Sequence, residues 1–328
     1  MEDLQSLIDI PRIWERLGRV EERLLEASTA DDPYLTKIAQ HLLLAGGKRF
    51  RPLLALLAAE FGDVAHERPI EAGVAVELIH VGSLYHDDVI DEADLRRGAS
   101  SANANWTNTV AILAGDFLMA RASEVAATHL SQESVRLLAA TYAELVEGQT
   151  RELQLTEDLT HSLDEYQQVI GGKTASLIRT SARLGAMAAD ADHQVVEALS
   201  TWAWELGMVF QIADDALDLV ADEETIGKPA GSDIREGTFT GPVLRAVAGA
   251  EGGQVTALLE PGRPYSDATV NEVIALVRAG GHIDAALDTA RTRLKIAESA
   301  LATLPKSKPK SILESLGNYL LARVDAAR

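Results

Sequence analysis

The sequence predicts an all-α protein, on three observations. Apolar residues recur with a helical period in nearly every segment, and those segments are rich in Ala, Leu and Glu. No β-branched alternating run with hairpin punctuation occurs anywhere. Taken in order, Asp32 followed by Pro33 reads as a helix N-cap with its first-turn proline. The glycine-rich turn at Gly46-Gly47 leads into an apolar helix at Pro52. Periodic helical segments then follow at 71–92, 110–128, 132–156, 163–188, 195–222, 268–279, 283–304 and 311–327. The main irregular stretch, from Asp222 to about Gly253, is rich in glycine and carries Pro229 and Pro242 among mixed charges. Loops of that length in compact domains are often lids or binding loops. No proline- or serine-rich linker and no fixed-period repeat divides the chain, so residues 1–328 are expected to form one large bundle of helices.

Composition narrows the function classes. The 328 residues include 30 basic and 50 acidic ones, a net charge of −20, and 47% are hydrophobic. That content supplies a sizeable core, while the charge repels a phosphate backbone, so nucleic acid is not expected as a partner. Any anion must be held by local basic clusters or by metal ions. The absence of cysteine excludes a thiol nucleophile, a disulfide framework and Cys-ligated metal. Met1 to Pro11 carries three acidic residues and no apolar signal region, and stretches such as Pro52 to Ala59 fall far short of a membrane span. A cytoplasmic location is expected, with a transient membrane-surface contact left open.

Two carboxylate motifs carry the chemistry. Residues 86–91 read His-Asp-Asp-Val-Ile-Asp and residues 214–218 read Asp-Asp-Ala-Leu-Asp, both DDxxD. On a helix, Asp87 and Asp91 share a face at i and i+4, with Asp88 turned about 100° away. Asp214, Asp215 and Asp218 repeat the pattern. An acidic chain can carry such motifs on a solvated face. Here both follow strongly apolar segments, Leu78 to Leu84 and Val209 to Ala213, where clustered acids are expensive. Hard oxygen ligands without His or Cys suit Mg²⁺, which completes its shell with water and substrate phosphate. Two such clusters suggest a clamped diphosphate.

Basic turns accompany them. Gly46-Gly47-Lys48-Arg49-Phe50-Arg51-Pro52 gathers three cations in a flexible turn before a helix, a favourable place for an anion. It is not a Walker A loop, since the GxxxxGK[ST] spacing is absent. Arg96-Arg97-Gly98 follows the first acid motif, and Gly171-Gly172-Lys173-Thr174 and Gly227-Lys228-Pro229 are smaller basic turns. His80 lies two helical turns before Asp87, and Gln211 lies three residues before Asp214. Singly, each reads as a satisfied core residue; their position beside the acid motifs raises both.

Together GGKRFRP, ELIHVGSLYHDDVIDEADLRRG, AGDFL, GGKTASL, FQIADDALD and GKPAGSDIREG, spread over roughly residues 40–245, resemble the trans-isoprenyl diphosphate synthases, or polyprenyl synthetases. The resemblance implies antiparallel helices around a central cavity, a homodimer and Mg²⁺. It implies that Lys48, Arg51, His80 and Arg97 hold isopentenyl diphosphate. Metals that bind the allylic diphosphate would rest on Asp87 and Asp91, with Asp88 in support, and on Asp214, joined by Asp215 and Asp218. Arg96, Lys173, Thr174, Gln211 and Lys228 match positions that contact the allylic diphosphate. Thr238 departs from the family pattern, which has a lysine there; Arg235 and Arg245 are the nearby cations that could replace it. Gly82 and Ser83, five and four residues before Asp87, are small where short-chain members carry bulky residues. That favours a C30–C50 product of the kind used for quinone side chains, with the tunnel floor supplied by Phe117, Leu138 or Tyr142. The alternatives are close helix packing at Gly82 and Ser83, a C15–C20 synthase, a terpene cyclase, or a non-catalytic subunit of a heteromeric synthase.

Overall fold

A computed structural model describes residues 2–220 and 229–327 of the chain. The helices run α1 (Glu2–Leu7), α2 (Pro11–Ala27), α3 (Pro33–Ala39), α4 (His41–Leu44), α5 (Phe50–Ala59) and α6 (Arg68–Ile90). A two-residue ribbon follows, β1 (Leu95–Arg96) paired antiparallel with β2 (Ala99–Ser100). Then come α7 (Ala102–Asn105), α8 (Asn108–His129), α9 (Gln132–Leu155), α10 (Leu163–Ile170), a π-helical turn (Gly171–Ala175), α11 (Ser176–Ala188) and α12 (His193–Val220). The chain closes with α13 (Ser232–Arg235), α14 (Gly241–Val247), α15 (Gly252–Leu259), α16 (Asp267–Ala279), α17 (His282–Leu301) and α18 (Lys308–Ala326).

Contacts group the chain into two units. The first comprises residues 1–143, 177–201 and 303–312, and the second residues 144–176, 202–302 and 313–328.

In the first unit, α5 and α6 are buried along most of their length, as helices packed on several sides must be. Helix α2 covers them with a single stripe, Ile13, Leu17, Val20, Leu24 and Ala27. Its apolar residues are interleaved with charges, which hid the helix from the periodicity reading. Asp32 caps α3 as expected, accepting the Tyr34 N–H at 2.9 Å. Helices α6 and α8 cross closely because glycine meets glycine: a Cβ on Gly115 would lie 3.0 Å from the Gly82 carbonyl, and one on Gly82 would lie 3.1 Å from the Gly115 carbonyl.

In the second unit, the expected helix over 163–188 contains a π-turn at Gly171–Ala175. Gly148 of α9 and Gly172 allow backbone to approach backbone there. A capping box, Ser162 with Glu165, starts α10. The stretch read as irregular includes α13 and α14. Glycines and prolines there start short helices, Pro242 within the first turn of α14.

Candidate functional site

The first unit gathers a basic pocket at the start of α5 and along α6. Gly46 and Gly47 take φ of 91° and 148°, and Arg49 sits at φ 46°, so the chain turns sharply before the helix. The hairpin after α6 ends in Arg97 and Gly98, at φ 55° and 75°, the pattern of a tight two-residue hairpin turn. Helix α6 ends at Ile90, so Arg96 and Arg97 reach the site from this ribbon and not from an extended helix. Arg97 Nη1 donates to Leu42 O at 3.0 Å and also to Gly46 O. A side chain on Gly47 would lie within 3.0 Å of the Arg97 guanidinium, which explains the glycine.

The three cations of the GGKRFRP turn divide by role. Arg49 is 3% exposed and fully engaged. Its Nε and Nη2 donate to Glu21 at 2.7 and 3.0 Å, Nη1 reaches Glu77 at 3.2 Å, and Nη2 donates to Leu43 O at 2.8 Å. Arg49 is therefore a structural cation. Lys48 is exposed. Arg51 is half-buried, and its Nε is buried with no hydrogen-bond partner. Burial, aided by Arg97 and opposed by Glu77, lowers the Arg51 guanidinium to about 10. Burial, with Arg51 and Arg97 alongside, also holds His80 well below the ordinary histidine range, so its imidazole is neutral at pH 7. Arg51, Arg97 and neutral His80 thus form a pocket with excess positive charge and an unused donor, suited to a diphosphate.

The first acid motif ends α6. Asp87 is half-buried, Asp91 exposed and Asp88 fully buried. Arg96 Nε donates to Asp88 Oδ1 at 2.6 Å, while Asp88 Oδ2 is buried with no partner. Burial raises the Asp88 carboxyl despite Arg96, and Asp91 adds to the rise. Half-buried Asp87 and exposed Asp91 offer hard oxygen ligands of the kind a divalent cation takes, with buried Asp88 behind them. Arg96 accordingly supports Asp88 in this structure.

The second unit holds the other acid motif on α12. Asp214 is exposed. Buried Asp215 accepts from Tyr166 OH at 2.5 Å and from Gln211 Nε2 at 2.8 Å, and Thr174 Oγ1 donates to Gln211 Oε1 at 2.8 Å. Burial pushes the Asp215 carboxyl up to about 7, with Asp214 and Asp218 adding to the rise and the two donors opposing it. Asp218 accepts the Ser232 and Asp233 N–H groups, each at 3.2 Å, and so caps α13. Of this triplet, Asp214 alone is exposed, and the other two are buried and anchor local structure. Lys173 pairs with Glu152 one helix away. Glu152 and Tyr166 carried no motif signal; only the fold brings them to Lys173 and Asp215. Lys228 lies outside the described residues. Thr238 donates its N–H to Asp233 O at 2.8 Å. Arg235 pairs with Asp267 at 2.7 Å and Arg245 Nη2 donates to Thr289 at 2.8 Å, so both arginines are engaged on other helices.

The product-length positions differ from one another. Gly82 packs against α8, with Met119 Cε 3.0 Å and Gly115 O 3.1 Å from where a Cβ would be, so close helix crossing accounts for this glycine. Ser83 is buried and donates to His80 O at 2.8 Å. One turn below Ser83, Ile79 lines an apolar cavity of about 300 Å³ with Met119 and Ala122 of α8 and Leu138, Ala139 and Tyr142 of α9. Phe117 does not line it.

The family model described as polyprenyl synthetase matches residues 32–277. The chain is 40% identical over 324 residues to the nonaprenyl diphosphate synthase of Mycobacterium tuberculosis, covering 98% of this chain and 96% of that one. It is 39% identical over 305 residues to the heptaprenyl diphosphate synthase component 2 of Geobacillus stearothermophilus, covering 93% and 94%. Among solved structures it matches the geranylgeranyl pyrophosphate synthase of Corynebacterium glutamicum complexed with calcium and isoprenyl diphosphate. That match has a TM-score of 0.85 and 42% identity, over 96% of each chain.

Proposed function

The chain belongs to the polyprenyl synthetase family, and from that premise we propose that it condenses an allylic diphosphate with successive isopentenyl diphosphates, using Mg²⁺. The observation that carries the reading is the pocket of Arg51, Arg97 and neutral His80, whose unused donor and excess charge call for a diphosphate. We assign isopentenyl diphosphate to this pocket, with Lys48 reaching it from the turn. Asp87, Asp91 and Asp214 are assigned to the metal, with Asp88, Asp215 and Asp218 behind them. Lys173, Thr174, Gln211 and Lys228 are assigned to the allylic diphosphate. Bound Mg²⁺ would neutralise charge developing on the departing diphosphate.

The residues then do the following. Lys173 offers an ammonium to the leaving group, held in direction by Glu152. Thr174 and Gln211 present a hydrogen-bonded pair fixed by Asp215 and Tyr166. As the allylic C–O bond breaks, the isopentenyl double bond, held by Arg51 and Arg97, attacks the cation and a proton is lost to the released diphosphate. No protein nucleophile is required, in keeping with a chain that lacks cysteine.

A C30–C50 product is favoured by the cavity at Ile79, eight residues and about 12 Å along α6 from Asp87. The likeness to a geranylgeranyl pyrophosphate synthase supports a second reading, a C20 product. We take residues 1–328 as one catalytic domain and a homodimer as its assembly; the relative named component 2 makes a heteromeric assembly the alternative. Among the described residues no helix is long and apolar enough to cross a membrane, which suits a cytoplasmic enzyme that touches a membrane only to release product. Incubation with Mg²⁺, farnesyl diphosphate and labelled isopentenyl diphosphate tests the whole reading. Chains longer than C20 are expected, C20 alone would favour the second reading, and no condensation would refute both.

A further inference from the structure

Beside the two arginines assigned to diphosphate lies a buried acid, Glu77, the first residue of the stretch ELIHVGSLYHDDVIDEADLRRG and one to which that stretch assigns no role. Glu77 is 1% exposed and sits on α6 three residues before His80, with Oε1 3.2 Å from Arg49 Nη1. Arg49 does not need it for neutralisation, because Glu21 already holds Arg49 through two bonds. Arg49 Nη1, which meets Glu77, and Arg97 Nη1 both donate to Gly46 O, so Glu77 stands one guanidinium away from Arg97, and its charge favours the charged forms of Arg97 and Arg51 against burial. Arg49, Arg51 and Arg97 stand against buried Glu77 and the more exposed Glu21, a balance of one positive charge where two would remain without Glu77.

We propose that Glu77 is a built-in counter-charge that limits the affinity of this pocket for diphosphate, so that each elongated product can leave it. The inference rests on the reading that Arg51 and Arg97 take the isopentenyl diphosphate. In repeated condensation, the product of one round carries the diphosphate that entered with isopentenyl diphosphate. That product must vacate the pocket before it can serve as the allylic substrate of the next round. A carboxylate in a weakly solvated pocket stabilises the arginines when the pocket is empty and repels the anion when it is full. By linkage, its presence lowers affinity in the same proportion as it favours the empty state.

Glu77→Gln keeps the shape and the hydrogen bond to Arg49 while removing the charge. Calorimetric titration with isopentenyl diphosphate, without allylic substrate, is expected to give a Kd about tenfold lower than wild type. In rapid-quench elongation the first condensation is expected to proceed at a near-normal rate and later ones to slow, so that shorter intermediates accumulate. A purely structural role for Glu77 would instead raise Kd. An unchanged or raised Kd in the folded variant overturns the proposal, as does equal tightening in Glu21→Gln, which loosens Arg49 from its more exposed side. If Glu77→Gln does not fold, Glu77→Asp retains the charge but withdraws it by one methylene. It is expected to tighten binding about threefold, measured as a larger ligand-induced rise in Tm, and an unchanged rise overturns the proposal. Wild-type protein that fails to bind isopentenyl diphosphate would overturn the functional reading itself, whereas wild-type binding with unaltered affinity in the variants overturns the counter-charge alone.

Discussion

Replacing Arg51 by Met should raise stability while crippling one substrate site. In the folded protein the Arg51 guanidinium is pushed down from the ordinary arginine range to about 10, chiefly by burial, and its Nε has no partner. At 1.36 kcal/mol per tenfold change in proton affinity, that displacement corresponds to about 3 kcal/mol held against the charged form. Met fills similar volume without a charge, so the folded state should gain about 1–3 kcal/mol. The same change removes charge-assisted contacts to the diphosphate worth roughly 1.5–3 kcal/mol, which is about ten- to a hundredfold in apparent affinity. Initial rates against isopentenyl diphosphate at saturating farnesyl diphosphate and Mg²⁺, with urea unfolding alongside, measure both effects. Arg49→Met is the contrast: it leaves buried Glu77 without its Arg49 partner and should cost about 3–5 kcal/mol. A destabilised Arg51→Met with unchanged KM would refute the division of labour between these two arginines.

The remaining expectations are narrower. Asp87→Ala and Asp214→Ala should each abolish condensation while circular dichroism and Tm stay near wild type, since removing clustered like charges does not harm the fold; near-normal turnover at high Mg²⁺ would show that the motifs are solvated faces. Ser83→Phe should shorten the product toward C15–C20, and Ala139→Phe should shorten it by filling the cavity from α9, both read by chromatography of the dephosphorylated products; unchanged chain length in both would exclude this cavity from the tunnel. Gly82→Tyr would meet the α8 backbone and should cost stability before it changes product length, so a well-folded variant making short chains would revise that assignment. For His80 the folded-state proton affinity is depressed, so the unfolded chain binds the extra proton, and stability should fall as pH drops through 6.5. His80→Gln should flatten that slope between pH 7 and 5, and an identical slope in the variant would show that His80 does not cause it.

The sequence made most of the helices and both acid motifs legible, because period and carboxylate spacing are local properties. What it could not separate were residues with the same local signature and different distant partners. Arg49 and Arg51 lie two apart in one basic turn, yet Arg49 is claimed by Glu21 and Glu77, 28 positions before and 28 after. Nothing in the turn announces either acid. Asp214 and Asp218 look equivalent in DDxxD, but Asp218 is taken up by the backbone of a short helix in a stretch whose sequence reads as loop. Gly82 is small for a helix crossing or for a tunnel alike, and only its distance from Gly115 decides. Arg96 matches an allylic-site position by resemblance, and its Nε bond to buried Asp88 shows in the fold and not in the spacing.

The glycine contact between α6 and α8 also bears on how such an enzyme can diversify. Of the three helices lining the apolar cavity, two are locked together where Gly82 and Gly115 touch, so bulk added at that contact forces the pair apart. Helix α9 lines the same cavity with Leu138, Ala139 and Tyr142 and carries no part of that contact. Changes of chain length that leave the protein sound should therefore accumulate on α9, where the wall can be recast one side chain at a time while the helix bearing the first acid motif stays in register.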